Sequence, residues 1–137
     1  MEMSNWKGAA GICFNRQQEV LMVLQGPPEE EKKWGLPAGP PEGNETLEES
    51  CVREFFEVTG LEVRVLKSAG VKNDSFDNAD VSVELQYFLV EVLRGEIIVP
   101  EEDPWIQDIV WQPIEELESL NLADPDEAAL IKSVIEN

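Results

Sequence analysis

Residues 35–61, GLPAGPPEGNETLEESCVREFFEVTGL, carry a glycine- and proline-rich loop straight into an amphipathic helix, which limits the possible folds more than any other stretch does. Read at about 100° per residue, Leu47, Cys51, Phe55 and Val58 fall on one apolar stripe. Glu54 lies inside the edge of that stripe, and Ser50, Arg53 and Glu57 follow it round the same flank. A carboxylate so close to the buried side is costly to desolvate unless a cation or a set of hydrogen bonds compensates it. A positive charge is therefore expected beside Glu54.

Local chemistry marks both ends of this helix. Thr46 followed by Glu49 has the form of a capping box, and Gly60 can take the left-handed conformation that ends a helix. Arg53 is spaced i to i+4 from both Glu49 and Glu57, so it can pair with either acid and hold Glu57 in one orientation. On helix statistics alone, an ordinary solvated face accounts for these charges equally well.

The rest of the chain alternates strands with helices. Residues 7–15 and 19–25 are apolar runs joined by a polar turn and read as a strand pair, followed by a charged surface loop over 26–33. Residues 61–71 and 81–92 alternate apolar and polar, and the turn at Arg94 and Gly95 is expected to return into a strand over 96–99. Residues 106–112 read as a last strand. Pro113 fits the first position of a short helix through Leu120. Asp124, Pro125 and Glu127 then start a second helix whose buried side is Leu130, Ile131, Val134 and Ile135. No repeat or linker interrupts this order, so residues 1–137 are expected to form one domain with a mixed sheet between helices.

Charge and cysteine usage narrow the function classes. The net charge is −19 with ten basic residues and no histidine, and so acidic a surface repels a nucleic-acid duplex. Small phosphorylated molecules are not excluded, because they arrive with magnesium and meet a local site. No apolar run is long enough to span a bilayer, and the start MEMSNWKG lacks a signal-peptide pattern. Cys13 and Cys51 both sit in apolar patterns, which suits buried free thiols in a reducing compartment. A cytoplasmic protein without membrane contact is expected, with a homodimer left open.

Spacing carries the reading further. Gly39, Glu45, Arg53, Glu54, Phe55, Glu57, Gly60 and Leu61 resemble the signature of the Nudix hydrolases (MutT-like), G-x5-E-x7-R-E-U-x-E-E-x-G-U with U bulky aliphatic or aromatic. The preceding WGLPAG also looks like that family's lead-in strand and loop. One fixed position departs: Val58 stands where the signature has its last glutamate.

The resemblance implies an α/β fold, the Nudix-type α/β/α sandwich with a mixed β-sheet. It implies a magnesium- or manganese-dependent hydrolase that cleaves the pyrophosphate bond of a nucleoside diphosphate linked to another group. That substrate could be a nucleoside triphosphate, a nucleotide sugar, ADP-ribose or a similar nucleotide derivative. Glu54 and Glu57 would be metal ligands and the carbonyl of Ala38 a third, with Arg53 orienting the acids and Glu45 bracing the loop. Such enzymes draw one more acid from beyond the signature as ligand or general base. Glu84, Glu101, Glu102 and Asp108 are the candidates, with Glu102 or Glu101 favoured because loops carry catalytic groups more freely than ladder-bound strands.

Val58 fits the apolar stripe and offers no lone pair, so metal affinity is expected to fall below that of a complete site. The alternative reading is a binding module that keeps the fold and holds a nucleotide or metabolite without cleaving it. An isoprenoid diphosphate isomerase on the same architecture needs metal-binding histidines, and this chain has none. Trp6, Phe14, Phe76 and Tyr87 could stack on a base, and residues 72–80, KNDSFDNAD, read as a loop over the site.

Overall fold

A computed structural model describes residues 4–76 and 81–136. The elements run β1 (Ser4–Cys13), β2 (Glu19–Gln25), β3 (Lys33–Gly35), β4 (Ala38–Gly39), α1 (Leu47–Thr59), β5 (Leu61–Phe76), β6 (Val81–Gly95), β7 (Ile106–Pro113), a 3-10 helix (Ile114–Ser119) and α2 (Asp126–Ile135). Four strands form a mixed sheet in the order β4-β1-β6-β5, with β1 parallel to β6 and the other pairs antiparallel. A second sheet, β3-β2-β7, is antiparallel. Helices lie on both faces of the mixed sheet, the expected α/β arrangement.

Alternation along the strands builds the two cores. Ala9 and Cys13 of β1 face the core that holds Cys51 and Phe55 of α1, while Ala10 and Ile12 face the core that holds Ala128, Ile131 and Val134 of α2. β2 feeds both: Leu21 and Val23 enter the first core, Val20 and Met22 the second. A β-carbon on Gly11 would come within 2.6 Å of the Phe55 ring, so the bare backbone there lets α1 settle directly on β1. That contact sets where the helix presents its charged flank.

Three sequence expectations are corrected. β1 and β2 are not a ladder pair; they lie in different sheets and share only an isolated bridge between Phe14 and Val20. The edges of β1 are already taken by β4 and β6, and the turn between β1 and β2 passes through Gln18 at φ 62°. Residues 96–99 do not return as a strand. The Ile98 N–H donates to the Thr59 carbonyl at 2.8 Å, and Ile97 and Val99 pack on the first core, so their alternation covers the end of α1.

Nor do residues 72–76 form a loop over the site. Residues 72–76 extend β5 against β6, at the sheet edge opposite β4, and residues 77–80 lie outside the described residues. Lys72 leaves β5 to pair with Asp124 and Asp126 at the start of α2.

Candidate functional site

The loop 40–46 and α1 hold each other through local chemistry. Thr46 accepts a hydrogen bond from the Glu49 N–H at 3.1 Å and the Glu49 carboxylate accepts one from the Thr46 N–H at 3.0 Å, so the capping box is complete. Gly60 ends the helix at φ 84°. The buried side is Ser50, Cys51, Phe55 and Thr59, with Leu47 and Val58 half-buried against the first core. Ser50 is buried because its hydroxyl donates to the Gly39 carbonyl at 3.3 Å, tying β4 to the helix.

Arg53 is the cation that the position of Glu54 calls for. Its Nε and Nη2 donate to the two oxygens of Glu45 at 2.7 and 3.0 Å, and Nη2 also reaches the Pro40 carbonyl at 2.9 Å. Nη1 donates to Glu54 at 2.9 Å and to Glu57 at 3.1 Å. Of the two acids spaced four residues from Arg53, only Glu57 pairs with it, because Glu49 is engaged in the cap. Glu45 closes the loop by also accepting the Glu42 N–H at 2.8 Å. Its carboxyl is held below the usual range, first by the Arg53 hydrogen bond and then by that of Glu42. The same pairing raises the Arg53 guanidinium.

Gly39 completes the arrangement. A β-carbon there would meet the Glu54 carboxyl at 2.3 to 2.5 Å, so the acid rests directly on the β4 backbone beside Ala38. Glu54 is thereby sheltered, at 17 % side-chain exposure, whereas Glu57 is open at 55 %. Two carboxylates meeting at one cationic nitrogen beside a main-chain segment are an all-oxygen donor set, which suits a hard divalent ion that keeps several waters. Among the described residues no three acids are set to hold an ion as they stand.

Among the described residues, none of the other named acids shares a hydrogen bond or ion pair with this cluster. Glu102 and Glu101 are exposed on the turn closed by the Asp103 N–H to the Pro100 carbonyl at 3.2 Å. Asp108 caps the next residue, accepting the Ile109 N–H at 2.9 Å, and Glu84 lies in β6 opposite Lys7 and Asn73. Of the aromatic candidates, Tyr87 is buried, Phe14 half-buried and Trp6 39 % exposed over Gly8; the Phe76 side chain lies outside the described residues. A cavity of about 790 Å³ between Phe14, Trp111 and Glu96 touches none of the Arg53 cluster. A groove of about 520 Å³ does, running past Glu45, Glu48 and Arg53.

Sequence reasoning named Glu45 as a brace without its partner, placed Ser50 on the charged flank without its acceptor, and missed Glu42. The partner of Glu45 was out of reach because it lies eight residues away across a loop. A serine next to the apolar stripe was the one available signal for Ser50, since a buried hydroxyl needs an acceptor.

Comparison with known proteins agrees with this geometry. The sequence matches the NUDIX domain family over residues 5–134. It is 36 % identical over 99 residues to the putative mutator protein MutT4 of Mycobacterium tuberculosis (strain CDC 1551 / Oshkosh), a stretch covering 71 % of this chain and 39 % of that protein. The chain thus aligns with well under half the length of this curated relative. Among solved structures, a NUDIX hydrolase from Nitrosomonas europaea superposes with TM-score 0.82 at 20 % identity, covering 97 % of this chain and 90 % of that one. The MutT protein from Methanosarcina mazei Go1 superposes with TM-score 0.79 at 17 % identity, covering 99 % and 96 %. Family match, layer order and the loop clamped on α1 agree, and this chain belongs to the Nudix family.

Proposed function

We propose that this protein hydrolyses the pyrophosphate bond of a nucleoside diphosphate linked to another group, with magnesium or manganese held by Glu54, Glu57 and the Ala38 carbonyl. The observation that carries the reading is the meeting of Glu54 and Glu57 at Arg53 Nη1, 2.9 and 3.1 Å away, beside a glycine that leaves the backbone bare. Nudix hydrolases generally use divalent metals and act on small nucleotide derivatives, which supports it. When bound, such an ion neutralises phosphate oxygens and makes a coordinated water more acidic.

The chain's own residues do the remaining work. Arg53 fixes the rotamers of both acids, so little ordering is left for the moment of reaction. Glu102, on its exposed turn, is the group proposed to take the proton of the attacking water. Trp6, partly open on β1, is the platform proposed for a base. Residues 1–137 act as one Nudix domain in this reading, supported by the match over residues 5–134. Two buried free thiols, each pushed up to about 12 by burial, suit a reducing cytoplasm. With a net charge of −19, a nucleic-acid duplex is not expected as partner.

A second reading is kept alive by Val58, which packs against the core and gives no oxygen to the site. In it, the fold binds a nucleotide or metabolite without cleaving it. Incubating the protein with magnesium and a panel of nucleoside diphosphate derivatives, and measuring phosphate or nucleotide release, separates the two. Hydrolysis that falls about 100-fold or more in Glu57→Gln is the expected result. Melting-temperature shifts without turnover of any compound would favour binding instead.

A further inference from the structure

Arg53 uses all five of its N–H donors and still leaves one neighbouring carboxylate without a hydrogen bond from it. Nη1 carries two hydrogens, and these go to Glu54 at 2.9 Å and Glu57 at 3.1 Å. A third carboxylate, Glu42, stands 3.6 Å from the same nitrogen, close enough for attraction and too far for a hydrogen bond. With Glu45 on the other edge of the guanidinium, four carboxylates share a single positive charge. The corner holds surplus negative charge, and Glu42 is its least satisfied member.

We infer that Glu42 supplies the carboxylate that Val58 does not, joining Glu54 and Glu57 on the divalent ion. The inference rests on the reading of this corner as a metal centre. The backbone around Glu42 is already fixed: Ser50 holds the Gly39 carbonyl, Arg53 holds the Pro40 carbonyl, and the Glu42 N–H is tied to Glu45. Its side chain is 71 % exposed and already stands 3.6 Å from the nitrogen that Glu54 and Glu57 share, so it is on the side of the loop where the ion would be held. Glu84, Glu101, Glu102 and Asp108 have no such position; among the described residues Arg53 forms its ion pairs with Glu42, Glu45, Glu54 and Glu57 and with none of those four. The number of carboxylates around a hard cation is a main determinant of its affinity, so a third one changes binding measurably.

Binding of Mn2+ alone to the intact protein, followed by the electron paramagnetic resonance signal of the free ion, tests this without any substrate. Glu42→Gln is expected to weaken binding about fivefold to tenfold, with Glu42→Asp in between. Glu48→Gln removes the same charge from the first turn of α1 away from Nη1, and is expected to change binding less than about twofold, as a screened surface charge does. Equal losses in Glu42→Gln and Glu48→Gln would reduce the effect to general charge and overturn the inference. Wild-type affinity in Glu42→Gln, with a loss in Glu102→Gln, would overturn it in favour of the downstream acid while leaving the metal centre intact. No Mn2+ binding by the wild type would remove the metal-centre reading itself, and the inference with it.

Discussion

On the α1 face of the mixed sheet, four carboxylates surround Arg53 and all keep some contact with water. On the α2 face, where Asp124 and Asp126 pair with Lys72, the carboxylate of Glu127 is only 7 % exposed and accepts a hydrogen bond from the Tyr87 hydroxyl at 2.7 Å. The consequences run in opposite directions. Beside Arg53 the Glu45 carboxyl is held down, first by its hydrogen bond with Arg53, so Glu45 stays ionised. Glu127 is pushed up, chiefly by burial and further by Asp124, against the pull of Tyr87 and Lys72. Both corners contain one strong base among several acids, Arg53 in one and Lys72 in the other. Exposure and hydrogen-bond supply, not acid count, separate a corner that can receive a cation from one that fastens a helix to a sheet.

The largest effect that tests this contrast is expected at Gly39. In Gly39→Ala the new methyl would sit 2.3 to 2.5 Å from the Glu54 carboxyl, so the acid has to leave its place on β4. Displacement by about 1 Å costs on the order of 100-fold in rate where positioning matters. Turnover and Mn2+ affinity should fall together, because one moved carboxylate serves both. If Mn2+ affinity stays at the wild-type level, Glu54 is not a ligand and the contrast between the two corners loses one of its sides.

Tyr87→Phe is the matching change on the other face. It strips the hydroxyl from a buried acid and is expected to cost about 1–3 kcal/mol of stability, as the loss of one partner of a buried polar pair does. At roughly 4 °C per kcal/mol for a domain of this size, the melting temperature should drop by several degrees. Mn2+ affinity should not move. A variant that keeps its melting temperature and loses metal would mean that the α2 corner takes part in the chemistry, which breaks the comparison.

What was legible in the sequence divides along the same line between local and distant partners. The limits of α1 could be read because capping box and terminal glycine act within a few residues, and both are present at Thr46, Glu49 and Gly60. The pairing of Arg53 with Glu57 could be read from helical spacing. Strand partners could not: an apolar run such as residues 19–25 says that a strand is buried, and nothing about which edge is free to receive it. Glu127 was taken only as part of a helix start, since burial at that position is decided by Tyr87, forty residues earlier in the chain. A tyrosine on the apolar face of β6 was a weak hint, because a buried phenol needs a partner.

The smallest expected effect concerns pH. A carboxyl whose folded pKa lies above its unfolded value makes the native state bind more protons than the unfolded chain between those two values. Its contribution to stability is therefore full below the unfolded value, about 4.3 for glutamate, and is lost as pH rises through the folded one. Glu127 follows this rule, with Tyr87, Asp124 and Lys72 as the polar and charged groups acting on it. In Glu127→Gln the side-chain carbonyl can still accept from Tyr87, but nothing there ionises. Denaturant unfolding of both proteins from pH 4.5 to 8 should show the variant gaining on the wild type as pH rises, then levelling off above the folded value. A difference that stays constant with pH would mean that Glu127 ionises as freely in the fold as in the open chain. The α2 corner would then be no less polar an environment than the one around Arg53.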